Sequence, residues 1–397
     1  MHVLIIPSWY PTKDNPISGI FFKEQAEALA EKIDFVNVIN VGGYSLHNLR
    51  TIINERLSFF KYKINIETTY KMRTFQFNYI VFPKIRTIQR IQNKIFYNIA
   101  IKKYINLFGK PDICHLHSYS KGDLALFIKR KYNVPYIVTE HFSGFARKLL
   151  DKREIIFAKN VFEKAEKRIA VSNKFAELLF SITGQKFIYV PNMTDATFFT
   201  IKKIISKSNE FAFLNIGSLD KNKNQNMLIE AFYKKFKDKR NVKLIIAGNG
   251  PLEANLKAKV KQLNLENKVI FFGFASREQV KELYHHSNAF VLSSKYETFG
   301  VVLIEALSCG LPVIATKCGG PESIIIDEKI GELVEMDTDQ LAGAMERIYS
   351  NIEKYDSDYI RKYAIDNFSK EVVTSKIIEI YKDVILSKSE NYKGTEK

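Results

Sequence analysis

Short apolar runs alternate with amphipathic helical patterns along the whole of this chain, and that rhythm restricts its fold more than any single motif does. Residues 2–6, 36–41, 112–117, 135–139, 168–171 and 186–190 read as strands, as do 211–216, 243–247, 269–272, 289–292 and 313–316. Helical spacing of apolar residues fills the intervals, for example at 20–32, 155–166, 227–236 and 252–263. Strand, loop and helix repeated in this way build doubly wound α/β domains, each a parallel sheet with helices on both faces. At 397 residues the chain exceeds one ordinary core. Pro191-Asn192 and the polar stretch 200–209 divide it. The expected architecture is α/β, with two Rossmann-like doubly wound domains facing across a cleft, residues 1–199 and 200–369. A tail helix follows at 371–386, with Val372, Ile377, Ile380 and Val384 on its apolar side. Ligands of such folds bind at the C-terminal ends of the strands, so the loops there carry the functional reading.

The net charge of +17 is unevenly spread. Residues 45–110 hold thirteen Lys and Arg against Glu55 and Glu67 alone, interleaved with Phe59, Phe60, Tyr62, Tyr70, Phe75, Phe77, Tyr79 and Phe82. A basic, aromatic stretch suits an anionic membrane surface, and it equally suits a solvated face. Nucleic acid is not an expected partner, because no binding-module signature accompanies the charge. In the same region, residues 88–107 read as a helix with Ile91, Ile95, Ile99 and Tyr104 near 3.6 spacing. No run approaches the roughly 18 apolar residues of a membrane span. Residues 1–11 read as a first strand and turn, not a signal peptide. Cys114, Cys309 and Cys318 lack disulfide or metal spacing. The expected location is the cytoplasm, including the inner face of the cell membrane.

The loop and helix of residues 293–322 suit a ligand bearing hydroxyls and phosphate. Glu297 sits on the loop, Gly300 at the helix start and Glu305 on the helix. Carboxylates accept hydrogen bonds from sugar hydroxyls, and N–H groups at a helix start receive an anion. His141 ends a strand and therefore faces the crevice. His115 and His117 alternate on one strand and point the same way; His117 is expected to line the cleft and His115 to pack. With no third ligand evident, they make no metal site. The D-x-D runs at 337–339 and 356–358 fall where helix N-caps are expected.

Taken in order, GSLDKNKNQNMLIEAF (217–232), LIIAGNGPL (244–252), VIFFGF (269–274), the E-x7-E of Glu297 and Glu305, and CGGPESI (318–324) resemble the family 4 glycosyltransferases, which have the GT-B fold. PSWYPTKDNPISGIFFKEQAEAL (7–29), PDICHLHS (111–118), PYIVTEHFSG (135–144) and IYVPNMTD (188–195) are similar to that family's N-terminal motifs. The resemblance implies retaining transfer of a sugar from a nucleotide donor, without a metal or other cofactor. Glu297 would hold donor-sugar hydroxyls and Glu305 the ribose. Phe299 and Gly300 would offer backbone N–H groups to the diphosphate or the sugar, and Gly250 and Pro251 would turn beside the base. Gly19 would close over the donor phosphate, and His141 would lie near the anomeric carbon. Lys223 matches the family's phosphate-binding Lys. Where the family carries Arg this chain has Ser218, with Lys221 the candidate replacement. The implied donor is a UDP- or GDP-sugar, and the tail helix, over 370–390, would cross back onto the first domain. A lipid-linked or polysaccharide acceptor would bind in the basic first domain. The rivals are a sugar-nucleotide 2-epimerase of similar architecture and a non-catalytic partner subunit, the latter favoured only by Ser218.

Overall fold

The computed structural model describes residues 1–11, 19–44, 61–69, 71–81, 86–201 and 210–394. Most of the expected linker at 200–209 lies outside them, as do Phe59, Phe60, Tyr70, Phe82 and the basic stretch 45–60.

The first sheet contains β1 (His2–Pro7), β2 (Phe35–Tyr44), β3 (Tyr62–Thr69), β4 (Met72–Ile80), β5 (Ile113–His117), β6 (Tyr136–Glu140), β7 (Lys167–Ala170) and β8 (Ile188–Tyr189). Its helices are α1 (Ile20–Ala30), α2 (Arg86–Phe108), α3 (Gly122–Tyr132), α4 (Lys152–Lys164) and α5 (Asn173–Thr183). The second sheet contains β9 (Phe211–Ile216), β10 (Val242–Ala247), β11 (Val269–Gly273), β12 (Ala289–Leu292), β13 (Val313–Thr316) and β14 (Gly331–Val334). With it go α6 (Gln225–Phe236), α7 (Glu253–Gln262), α8 (Arg277–His285), α9 (Val301–Ser308), α10 (Thr338–Ser350) and α11 (Ser357–Phe368), and α12 (Lys370–Gly394) ends the described chain.

The strand orders are β3-β4-β2-β1-β5-β6-β7-β8 and β11-β10-β9-β12-β13-β14. Every pairing is parallel except that of β3 with β4. In each sheet the order reverses beside the first strand, between β1 and β5 and between β9 and β12. The connections there leave on opposite faces, so a crevice opens at the C-terminal ends of those strands. The doubly wound α/β architecture expected from the sequence is therefore the one observed.

Two helix faces differ from expectation. On α2, Ile91 and Ile95 are 57% and 53% exposed. The buried side is instead Gln92, Phe96, Tyr97, Ala100, Ile101 and Tyr104. Aromatic rings bury more area than isoleucines, and they find rings to meet: Phe96 lies 4.5 Å from Tyr79 and Tyr104 lies 5.9 Å from Phe75. On α12 the buried seam is Val373, Ile377, Tyr381 and Val384, with Val372 and Ile380 only half-buried beside it. That seam joins Val3, Ile5, Val36, Ile113 and Ile137 in one core on the first sheet, so the last helix packs on the first strands.

The crossings between the two sheets are tied together. Thr194 N–H donates to Phe368 O at 2.8 Å. Arg361 donates to the carbonyls of Ala196 and Phe199, at 2.7 Å each, and to that of Ser308. Ile377→Ala opens a cavity under α12 and should cost about 2–4 kcal/mol. The expected reading is a lowered urea midpoint; an unchanged midpoint would detach α12 from the cooperative core.

Candidate active site

On the second sheet, three loops meet backbone to backbone at the C-terminal ends of β9, β10 and β12. Gly248 has φ +135, and a Cβ there would sit 1.9 Å from Gly217 O. A Cβ on Gly250 would sit 2.5 Å from Leu219 O. Any larger residue would force the loops apart. Leu219 N–H donates to Asn249 O (2.9 Å) and Leu252 N–H to Leu219 O (3.0 Å). Lys295 N–H donates to Asn222 O (2.7 Å), Asn222 Nδ2 to Tyr296 O (3.0 Å) and Ser293 Oγ to Lys223 O (2.9 Å).

This stitching brings Lys223 Nζ to 2.6 Å from Glu297 Oε1, which also accepts from Ser294 Oγ at 2.7 Å. Burial alone would lower the Lys223 pKa; the Glu297 carboxylate more than offsets it, so the ammonium is held charged. Ser218, where the resemblance leads one to expect Arg, donates its hydroxyl to Asp220 Oδ2 at 2.7 Å. Asp220 also accepts the N–H groups of Asn222 and Lys223, at 2.8 and 3.1 Å. Lys221 is exposed on the same loop, and Pro251 is exposed on the turn after β10. Gly300, at φ +106, starts α9, and Phe299 is buried with its ring 5.9 Å from that of Phe368.

Glu305 stands apart from that pair. Its Oε2 lies 3.0 Å from Tyr284 Oη, which lies 3.0 Å from Val302 O. Burial pushes its carboxyl up to about 7, against the pull of the Tyr284 hydrogen bond and the Arg277 charge. Arg277, at the start of α8, reaches across to Glu24 of α1 in an ion pair. Its guanidinium also lies over Phe198, 4.8 Å from the ring centre.

The wall on the first sheet is aromatic. Gly19, at φ +72, starts α1, and a Cβ there would lie 2.5 Å from Trp9 O. Phe21 and Phe22 follow it, 5.3 and 5.1 Å from the His141 ring. His117 Nδ1 lies 3.2 Å from His141 Nε2. His117 was expected to line the cleft; it is 1% exposed, covered by His141 and by Phe22 at 4.8 Å. His115 packs as expected, with Nδ1 2.6 Å from Tyr381 Oη and Nε2 2.7 Å from Thr139 Oγ1. Burial lowers all three imidazoles, His117 to about 3, and they stay neutral at ordinary pH. His141 Nδ1 is buried and makes no hydrogen bond among the described residues.

Sequence reasoning missed Glu140, Glu24 and Arg277. Glu140 is 0% exposed. Its carboxylate accepts the N–H groups of Tyr119 (2.9 Å), His141 (2.9 Å) and Phe142 (2.8 Å), fixing the loop that presents His141. Its signal was an acid closing an apolar strand immediately before the cleft His. The D-x-D runs are caps, as expected: Asp337 and Asp356 each accept N–H groups from their own helix starts. No group of three or more His, Cys, Asp or Glu that could hold a metal ion occurs among the described residues.

Residues 197–386 match the family described as glycosyl transferases group 1, and residues 66–198 match glycosyltransferase family 4. The chain belongs to the family 4, group 1 glycosyltransferases. It is similar to an uncharacterised glycosyltransferase of Methanocaldococcus jannaschii, 28% identical over 69% of this chain and 77% of that one. It is also similar to the UDP-Gal:alpha-D-GlcNAc-diphosphoundecaprenol alpha-1,3-galactosyltransferase of Escherichia coli, 27% identical over 70% of this chain and 77% of that one. Sucrose-phosphate synthase from Thermosynechococcus elongatus shares the GT-B fold, with a TM-score of 0.76 at 20% identity over 98% of this chain and 100% of that one.

Two outcomes follow for this glycosyltransferase. Glu305 ionises near 4.5 when unfolded and about 7 when folded. The folded state therefore holds its proton longer, and stability falls as pH rises from the first value to the second. Glu305→Gln should stabilise the enzyme above pH 7, on the order of 1–3 kcal/mol. Urea midpoints at pH 4 and pH 8 measure this: a gain at pH 8 only is expected, and an equal gain at both would refute it. Glu140→Gln keeps two acceptances and cannot accept the Tyr119 N–H with its amide nitrogen. Donor turnover should fall about tenfold or more through displacement of His141, while the donor KM moves little.

Proposed function

We propose that this glycosyltransferase is retaining and metal-independent. It would move a hexosyl group from a UDP- or GDP-sugar to a lipid-linked or polysaccharide acceptor in bacterial surface-polysaccharide synthesis. The observation that carries this reading is the Lys223–Glu297 pair at the strand ends of the second sheet; at the strand ends of the first, the buried Nδ1 of His141 makes no hydrogen bond among the described residues.

The pair acts as an exchange. Without donor, the two charges satisfy each other. The donor diphosphate takes the Lys223 ammonium, and Glu297 is released to accept from sugar hydroxyls. As the bond from the anomeric carbon to the phosphate oxygen breaks, its electron pair goes to the diphosphate. Lys223 and the loop N–H groups at Phe299 and Gly300 meet that growing charge. Retention requires the acceptor hydroxyl to enter on the face the diphosphate leaves, with its proton passing to the departing phosphate oxygen. His141, neutral, donates or accepts at a sugar hydroxyl without adding a positive charge beside the electron-poor anomeric carbon. Glu305 takes the ribose, Gly19 closes the phosphate end, and Gly250 and Pro251 flank the base. Lys221 supplies part of the charge that Ser218 lacks.

The relative from Escherichia coli, named for a UDP-sugar donor and a diphosphoundecaprenol acceptor, supports this choice of substrates. The basic first domain supports an acceptor anchored at the inner membrane face, where the enzyme would be peripheral. No helix among the described residues is long and apolar enough to cross a membrane. A non-catalytic role draws support from one observation, the Ser218–Asp220 contact in place of a cation.

Thermal shifts with UDP, GDP and ADP should pick out the donor base, because a ligand bound only to the folded state raises apparent stability. Incubation with the matching nucleotide sugar should release nucleotide; an epimerised donor, or none consumed, would displace this reading. EDTA should leave turnover unchanged, and the product's anomeric proton should show the donor's configuration by NMR. Glu297→Ala and His141→Ala should each lower kcat about a hundredfold or more. Lys223→Ala should raise the donor KM and lower kcat together.

A further inference from the structure

Among the described residues, no other element covers one face of α2. Ile88, Ile91 and Ile95 recur along it at helical spacing and are 39%, 57% and 53% exposed. Lys102 continues the same face one heptad past Ile95 and is exposed, as is Lys94 beside the stripe. Over its 23 residues the helix carries Arg86, Arg90, Lys94, Lys102 and Lys103 and no Asp or Glu. Isoleucines in water on an all-cationic helix call for a partner both apolar and anionic. A second copy of the chain is a poor one, since two such helices would meet with like charges and no carboxylate on either to pair them. The interface of an anionic bilayer offers acyl chain and negative headgroup together.

The stripe also lies at the active end of the sheet. Gln92 Nε2 donates to Ile80 O at 2.7 Å, and Tyr79 Oη donates to Asn93 Oδ1 at 2.7 Å. These bonds hold the first half of α2 against the C-terminal end of β4. Strand β4 runs parallel to β2, and β2 to β1, so this is the end at which the His141 loop opens. We propose that the Ile88–Ile91–Ile95 face of α2 docks the enzyme on an anionic phospholipid bilayer, with the mouth of the active cleft close to the lipid surface. This places a lipid-linked acceptor within reach and rests on the acceptor reading above, but vesicle binding tests it without any acceptor.

The full chain is sedimented at low salt with vesicles of phosphatidylglycerol and phosphatidylcholine, and with phosphatidylcholine alone. Retention by the anionic vesicles only is expected. The double variant Ile91→Ser/Ile95→Ser should bind them on the order of tenfold more weakly, with unchanged melting and unchanged nucleotide release from the donor. Ile156→Ser, which alters a 66% exposed isoleucine on α4, should bind as the parent does. Docking through α2 is overturned if the parent is not retained, if the double variant binds equally well, or if Ile156→Ser binds as weakly as the double variant. It is also overturned if the double variant instead abolishes a dimer seen in solution, which would give the face to a second copy. If docking behaves as expected but transfer goes only to water-soluble acceptors, the acceptor reading fails and the docking face stands.

Discussion

The wall on the second sheet depends on one ion pair formed between two loops that are far apart in sequence. Lys223 and Glu297 belong to the connections after β9 and β12, the strands between which the sheet reverses its order. Half-buried as they are, either charge alone would be costly; together they are held by Ser294 and by backbone bonds between their loops. The requirement for close approach spreads outward from there. Glycine stands at 248 and 250 because β10's loop must lie directly on β9's. A site built in this way is ordered before any ligand arrives, with its two charges paired.

The opposite wall follows a different rule. Among the described residues its centre holds no ion pair, only neutral imidazoles stacked on one another and met at an angle by Phe21 and Phe22. Burial removes the positive charge from His141, and Glu140 spends a fully buried carboxylate on positioning backbone. One wall thus offers charge and the other neutral hydrogen-bonding groups. That division suits a donor with an anionic diphosphate at one end and an uncharged sugar at the other. The ion pair between Glu24 and Arg277 joins the walls on the side of Glu305.

Much of this was legible in the sequence. Parallel strands buried on both faces leave unmistakable apolar runs, and glycine, proline and capping residues punctuate the helices between them. The two sheets apart from β3, β4 and β14, the helix at Val301 and the caps at Asp337 and Asp356 could be read in this way. The face of α2 could not, because spacing groups Ile91 with Ile95 but does not say which side of a helix the neighbouring rings will claim. Phe96 and Tyr104 settled that through contacts with β4, and Tyr97 through its bond to Asp123 on α3. Nor could the burial of His117 be read, since it depends on Phe22 arriving from another connection. Glu140 looked like part of a motif around His141; its three N–H partners come from folding two strand ends together. Short-range chemistry is written along the chain, whereas the partners across strand ends are decided by topology.

The contact between Tyr381 and His115 spans 266 positions of sequence. His115 stacks on His117, 4.2 Å away, and His117 meets His141. The support beneath the cleft imidazole therefore ends in a tyrosine of α12. During synthesis the first sheet leaves the ribosome long before that helix exists, and domains made first generally fold first. Here the early domain can assemble its sheet but must wait for α12 to complete the packing beneath His115. A chain cut short anywhere before Tyr381 therefore lacks the hydroxyl that meets His115, beneath the stacked imidazoles.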